Sequence, residues 1–455
     1  MRKFLKIVLF ILLLPVIYLV VINLLPDEEL SAGAKEWLKP EPITVPKEQN
    51  SYYLMWGLDA PADVDMQEYG EAVVDGMVQA GDKLHRYDPD ASESYLPEAY
   101  DHDARIRAVG LGDRCKVTER FCLDEYRRSA DKVLTQGDNI LLLERYLAIS
   151  NLMHYRRVEP VGINSIPYFS PLTNVQRLRH IVITSMFFSG KHGEALEDLA
   201  VDLRFSRMLL SEADTLILKF IAMRMVANDL HLYGQLMESD EAAIVAKEVS
   251  EISTLSESEG GFGEVFRGEL RFQKSMMQYT SDNEFNEDIG GGGMNPFGVL
   301  PRRDRHFLNI SYRYMFALLD AYGNPPTRFK LLHRELVKKQ PGVWETVKNP
   351  LNSILLSIAM PMYPSYMLRS HDLNGLIRLL KLKGKIVEDG VTAEDVDEYI
   401  ATSPYASAHS QESVAVHWDP QRQVLFFSSM AESNNANTTQ LYLSLKGQRS
   451  DHSQQ

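Results

Sequence analysis

The nine residues Gly260-Gly261-Phe262-Gly263-Glu264-Val265-Phe266-Arg267-Gly268 have the glycine spacing of a loop that covers nucleotide phosphates. Glycines let backbone N–H groups approach a phosphate that a side chain would keep away. Phosphoryl transfer of that kind also needs a lysine on the following strand, a base in His-Arg-Asp and a metal-binding aspartate in Asp-Phe-Gly. None follows in order. The first lysine after the loop is Lys274, in Arg271-Phe272-Gln273-Lys274, and Val265, Phe266, Leu270 and Met277 read as one face of a helix. The stretch is expected to be a linker.

Asp88, Asp90, Asp101, His102 and Asp103 bring oxygen ligands close together, as calcium requires. The spacing has no central glycine and no closing glutamate, so a solvated acidic loop is the expectation. His333-Arg-Glu335 has the start of a zinc-deaminase signature, but no Pro-Cys-x-x-Cys accompanies it. His-Glu-x-x-His and Gly-x-Ser-x-Gly do not occur. The sequence therefore assigns no catalytic residue, no metal ligand and no cofactor. Arg145, after a Leu-Leu-Leu-Glu run, reads as pairing locally with acids. Leu376 to Lys383, followed by Lys385, is a basic amphipathic segment. It suits either anionic lipid or, more commonly, a solvated helix face.

The compartment is read from the start of the chain. Arg2, Lys3 and Lys6 precede an uncharged run from Ile7 to Leu25, and Asp27, Glu28 and Glu29 follow it. Such a run spans about 28 Å as a helix, near the ~30 Å of a hydrocarbon core. Basic residues before it place the N-terminus inside and the body outside. A cleaved signal peptide has a shorter apolar region, so an uncleaved single-pass anchor is expected. The body is therefore expected outside the cytoplasm. No second span is expected: Leu351 to Met360 is too short, and Leu216 to Met237 carries Lys219, Arg224 and Asp229. With a net charge of −14, the chain repels phosphates and nucleic acid is excluded as a partner.

Cys115 and Cys122 are the only cysteines. Outside the cytoplasm, so close a pair is expected to be a disulfide, stabilising by roughly 2.5 kcal/mol. Two ligands cannot make a structural zinc site, and the spacing is not that of a redox Cys-x-x-Cys.

The elements that must position these groups are mostly helices. Tyr69, Val73, Met77, Ala80 and Leu84 follow helical spacing, as do Ala195, Leu196, Leu199, Leu203 and Leu210. Thr173 offers an N-cap and Gly190 a stop. The segment from Leu216 is apolar nearly all round and is expected to be central. Gly190-Lys-His-Gly-Glu-Ala195-Leu196 resembles the turn of a tetratricopeptide unit, but no second copy lies one period away. Val414, Val416 and Trp418 alternate, Asp419-Pro420 turns, and Val424–Ser428 and Leu441–Leu445 continue as strands.

The fold class expected is mainly α: an N-terminal transmembrane helix, an irregular antiparallel helical body that is repeat-like at one turn, and a small C-terminal β-meander. The divisions are an anchor over 1–26, a tether over 27–50, a helical domain over 51–256 and a second helical region over 257–402. A β-meander over 403–447 and a disordered tail over 448–455 complete the chain.

The pattern Asn50-x-Tyr52-Tyr53, Gly57-Leu58-x-Ala60-Pro61, the Cys115 and Cys122-Leu123 pair, Leu142-Leu143-x-Arg145-Tyr146 and Trp418-Asp419-Pro420 resembles a family of uncharacterised, mostly helical, membrane-anchored envelope proteins of Gram-negative bacteria. The resemblance implies a Gram-negative envelope setting, with the anchor in the inner membrane and the body in the periplasm, and supplies no catalytic residues. Antiparallel helices form grooves, so the function expected is binding of an envelope protein or peptide. The alternative is an envelope hydrolase with a carboxylate-based site, acting on glycan.

Overall fold

The computed structural model describes residues 13–80, 102–281, 303–339 and 346–442. Excepted within these ranges are 15, 19, 41, 43, 112–116, 120–121, 160, 163–164, 166–168, 347–348, 350–352, 354–355, 357–359, 361, 410–411 and 432–438. The chain is mainly helical, with small antiparallel sheets near its C-terminus.

The described residues among 13–24 are helical, and Leu13, Leu14, Val16, Ile17, Tyr18, Val20, Val21 and Leu24 expose 37–78% of their surface. Among the described residues no helix is long and apolar enough to cross a membrane. The first part of the expected span, up to residue 12, lies outside the described residues, so the transmembrane helix is not established by the fold. Beyond it, the short helix α1 (Ala32–Trp37) buries Ala34 and Trp37. This part of the expected tether is docked rather than extended.

Helices α2 (Ser51–Gly57) and α3 (Met66–Ala80) pack on one another. Asn50 caps α2 by accepting from the Tyr52 N–H and pins the strand-like segment at 154–156 by bonding both backbone groups of Arg156. The aromatic Tyr52 and Tyr53 are thereby buried. Next come α4 (Cys122–Leu134) and α5 (Asn139–Ser150), with α6 (Ser170–Phe188), α7 (His192–Glu212) and α8 (Leu216–Leu236) forming the centre. Helix α6 starts before Thr173, because Pro171 needs no N–H bond in a first turn. Gly190, at φ +91°, allows the tight α6–α7 turn.

Helix α8 packs against α6, α7, α9 (Ala242–Glu251), α11 (Gly263–Ser281) and α14 (Met362–Glu388), as its all-round apolar surface requires. The four-residue α10 (Glu257–Gly260) interrupts the expected glycine linker and packs on α7. Helices α12 (Asp304–Tyr322) and α13 (Pro326–Lys339) pair on the flank of α11 and α14, and α15 (Val396–Thr402) leads to the strands.

The single expected meander is two sheets. Strands β1 (Ser407–His409) and β2 (Glu412–Ala415) form a hairpin; β3 (His417–Asp419), β4 (Val424–Phe426) and β5 (Gln440–Tyr442) form a meander in that order. The break falls at Val416, whose N–H bonds to Ala406 O at 3.0 Å instead of continuing a strand. Asp419 accepts from the N–H groups of Gln421 and Arg422 and so makes the β3–β4 turn. Both sheets lie on α14. One apolar core runs from Trp37 to Leu441.

The basic segment on α14 is not a lipid-facing surface. Leu376, Ile377, Leu379, Leu380 and Leu382 are buried, and Lys383, 1% exposed, donates to Gly234 O and to Glu238 at 2.8 Å. Arg145 is likewise buried, and it serves carbonyls rather than acids. Its guanidinium donates to Ala60 O at 2.5 Å, to Pro61 O and Val64 O at 2.9 Å, and to Leu58 O at 3.4 Å. Removing the donor strands buried carbonyls. Arg145→Met is therefore expected to lower the stability of the full chain by about 3 kcal/mol, read by urea unfolding.

Candidate functional site

The glycine stretch of 260–268 does line a cavity, though for reasons of packing. Ser256-x-x-Glu259 is a capping box: Ser256 Oγ accepts from the Glu259 N–H, and Glu259 accepts from the Ser256 N–H at 2.6 Å. Arg207 on α7 grips the same carboxylate with two nitrogens, at 2.5 and 2.8 Å, and also donates to Ser253 O and Thr254 O. Helix α10 is fixed at both ends as a result. Gly260 O then accepts from Tyr322 Oη at 3.0 Å and from Ser370 Oγ at 3.3 Å, drawing α12 and α14 to it. Gly268 makes room for another chain segment: a Cβ there would lie 1.6 Å from Asp214 O.

Lys219, one turn into α8, is 2% exposed. Its ammonium donates to Leu210 O at 2.8 Å, Glu259 O at 2.7 Å and Ser258 O at 3.4 Å, and stands over the Phe262 ring. Burial pushes it down to about 7, against the pull of Glu259. With its donors taken by carbonyls, Lys219 joins the end of α7 to α10 and does not present a free nucleophile.

These contacts leave a cavity of about 1020 Å³ between α10, the glycine segment, the end of α12 and the middle of α14, with His409 of β1 at its edge. Its wall carries Tyr322, Ser370, His371 and Asn374, and its rim the exposed Glu257 and Glu264. Tyr322 stacks on His371 at 4.7 Å, and His371 meets His409 edge-on at 6.2 Å. Burial, then the neighbouring His409, push His371 down to about 4. Burial pushes the Tyr322 phenol up to about 12. The wall's hydroxyls and amide carry no charge, and burial favours the neutral form of His371. A second cavity, about 570 Å³, lies between α7, α8 and α9 and shares Ser211 and Ser256 with the first. The two adjoin at these residues as a divided trough, with segment 252–256 between its halves.

A carboxylate pair does exist, elsewhere. Asp202 on α7 and Asp229 on α8 are both fully buried. Asp229 bonds His180 at 2.8 Å, Ser206 at 2.9 Å and Gln176 at 2.9 Å; Asp202 stands 3.6 Å from Arg179. Burial pushes both carboxyls up, and Asp229 adds to the rise at Asp202. Neither lines either cavity of the trough. In this position the pair links α6, α7 and α8.

Of the candidates named in the sequence, Cys122 is buried at the start of α4, and Cys115 lies outside the described residues. Their expected bond is therefore untested by the structure. Asp88, Asp90 and Asp101 are also outside them. Among the described residues no group of three or more His, Cys, Asp or Glu could hold a metal ion. His333 packs on Phe329 within α13. The trough residues Lys219, Tyr322, Ser370, His371, Asn374 and His409 come from four separate elements and carry no local motif. Only Ser256-x-x-Glu259 was readable beforehand.

Gly268→Ala is expected to lose about 1–3 kcal/mol by overpacking, with a lower unfolding midpoint. His371 gives a pH signature. Its folded pKa lies below the ordinary 6.5, so the unfolded chain takes up the proton first. Stability is complete above pH 6.5 and falls by up to about 3 kcal/mol as pH drops to 4. Glu269, pushed up to about 7 by burial, acts in the opposite sense between 4.5 and 7, so the quantity to measure is the difference between wild type and His371→Gln. That difference should slope across pH 4–6.5 and be flat above it. No family model, no curated protein and no solved structure matches the chain, so its resemblance to envelope proteins stands on the sequence motifs alone.

Proposed function

We propose that the chain is a membrane-anchored extracytoplasmic protein that receives a protein or peptide partner in the trough at α10. The observation that carries this reading is the shape and lining of the trough. Two cavities of about 1020 and 570 Å³ meet at Ser211 and Ser256. Together they exceed the ~300–1,000 Å³ of a small-molecule pocket, and an extended chain fills such a length better than a compact ligand. The lining mixes apolar side chains (Leu203, Met208, Leu255, Leu319) with hydroxyls and an amide that can bond a peptide backbone.

The anchor is supported by the eight exposed apolar side chains of residues 13–24, which water solvates poorly and lipid accepts. An extracytoplasmic body follows from the basic residues ahead of that helix. In that compartment we propose that Cys122 pairs with Cys115, the chain's other cysteine.

A photoreactive amino acid at Glu257, on the trough rim, should give a discrete, saturable adduct in cells. The same group at Ile140, exposed on α5, should give none. Equal labelling at both sites, or none at Glu257, removes the binding reading. Turnover of a glycan that is lost in Glu257→Gln would transfer the trough to the competing hydrolase reading. A periplasm-dependent reporter fused after residue 50 should be active, and an inactive one overturns the compartment. Alkylation of the unfolded chain should add mass at two thiols only after reduction.

A further inference from the structure

Residues 22–37 are fastened to α12. Arg303, 3% exposed, donates to the carbonyls of Ile22 and Leu25. These close the apolar helix, where carbonyls have no donor within the helix and a cation is favoured. Asp27 performs the opposite service. Its two oxygens accept from the Arg305 and His306 N–H groups at 3.0 and 3.1 Å, in the first turn of α12. Each helix end is thus capped by a residue beside the other's end. Glu28 accepts from Asn309 at 2.8 Å and pairs with His306 Nδ1 at 3.1 Å. Asn309 also donates to Glu29 O and accepts from the Ser31 N–H at 2.8 Å. Helix α1 continues along α12: a Cβ on Gly33 would fall 2.0 Å from Tyr312 Oη, and Trp37 meets the Tyr312 ring edge-on at 4.9 Å.

Among the described residues of the apolar helix only Ile22 is buried, 2% exposed beneath Arg303; Leu24 and Leu25 beyond it are exposed again. The body therefore begins within about one helical turn, ~5 Å, of the helix end. A polar collar of Asp27, Glu28, Glu29 and Arg305 surrounds that point. Apolar helix, then collar, then folded body, with no free linker between, is the order that a bilayer core, its headgroups and the outside water would accommodate.

We infer that the edge of the body formed by residues 27–29 and Arg305 is a membrane-seating surface, held against the headgroup layer of the bilayer by the reciprocal capping of Arg303 and Asp27. The inference rests on the anchor proposed above and adds that the body is seated, not leashed. Its partner is the lipid surface itself. Helix α12, about 28 Å long, runs from this seat to Tyr322 at the trough.

The test uses the full chain in lipid nanodiscs, with a genetically encoded spin label at the exposed Arg313 and a nickel-chelating lipid as relaxing agent. Relaxation of the label by the nickel lipid is expected in the otherwise wild-type chain. It should be lost in Asp27→Ala/Asn309→Ala, which frees the seat. Gly33→Val, which pushes α1 off Tyr312, is the second variant and should also lose it; hydrogen exchange of the α8 core confirms that each variant remains folded. A chain that enters nanodiscs but shows no relaxation, or relaxation unchanged in the folded variants, overturns the seating inference and leaves the anchor standing. A chain that does not enter nanodiscs removes both.

Discussion

Helix α8 has to be covered on every side. Its sequence from Leu216 to Leu236 offers no broad polar face, so water cannot be left against it, and burial of such a surface is the main favourable term in folding. Helices α6, α7, α9, α11 and α14 and strand β5 supply the cover. The few polar groups that α8 carries inward must then find partners in the jacket. Lys219 reaches the carbonyls of α7 and α10, Asp229 reaches His180, Ser206 and Gln176, and Gly234 O receives Lys383. The positions of several elements follow from satisfying these groups.

The trough is a product of that requirement. Lys219 and Arg207 hold α10 from one side, while Tyr322 and Ser370 hold the carbonyl of Gly260 from the other. These bonds draw α12 and α14 to the segment at Gly260, and the cavity lies beside that contact. The buried carboxylates show the converse. Asp202 and Asp229 influence each other electrostatically, as paired acids in acid–base sites do, but they are sealed among helices. The two acids are thus a packing solution here, and access separates the two cases.

Arginine has one recurrent use in this chain. Arg145, Arg207 and Arg303 each donate to main-chain carbonyls left over at turns or helix ends, where a planar fork of donors satisfies several acceptors at once. This explains why the arginine after Leu142-Leu143 is buried although nothing nearby in sequence calls for it. It also explains how a segment with Pro40, Pro42 and Pro46, composed like a flexible tether, comes to be docked over its first part: the hydrogen-bond partners that fix residues 22–31 come from residues 303–309.

The sequence by itself determined what depends on neighbours along the chain. Helical spacing located α3, α7 and α11 to within a few residues, Gly190 ended α6, and the all-round apolar character of α8 foretold its central place. The change to alternation after residue 412 foretold strands, though the break at Val416, set by a bond to Ala406, did not show. Only the tertiary structure decided the interior of the basic run on α14, the packing role of Gly268, the docking of 27–37 and the make-up of the trough. The physical reason is the same for each. A side chain's chemistry is set by burial and by partners hundreds of positions away, and a local pattern records neither.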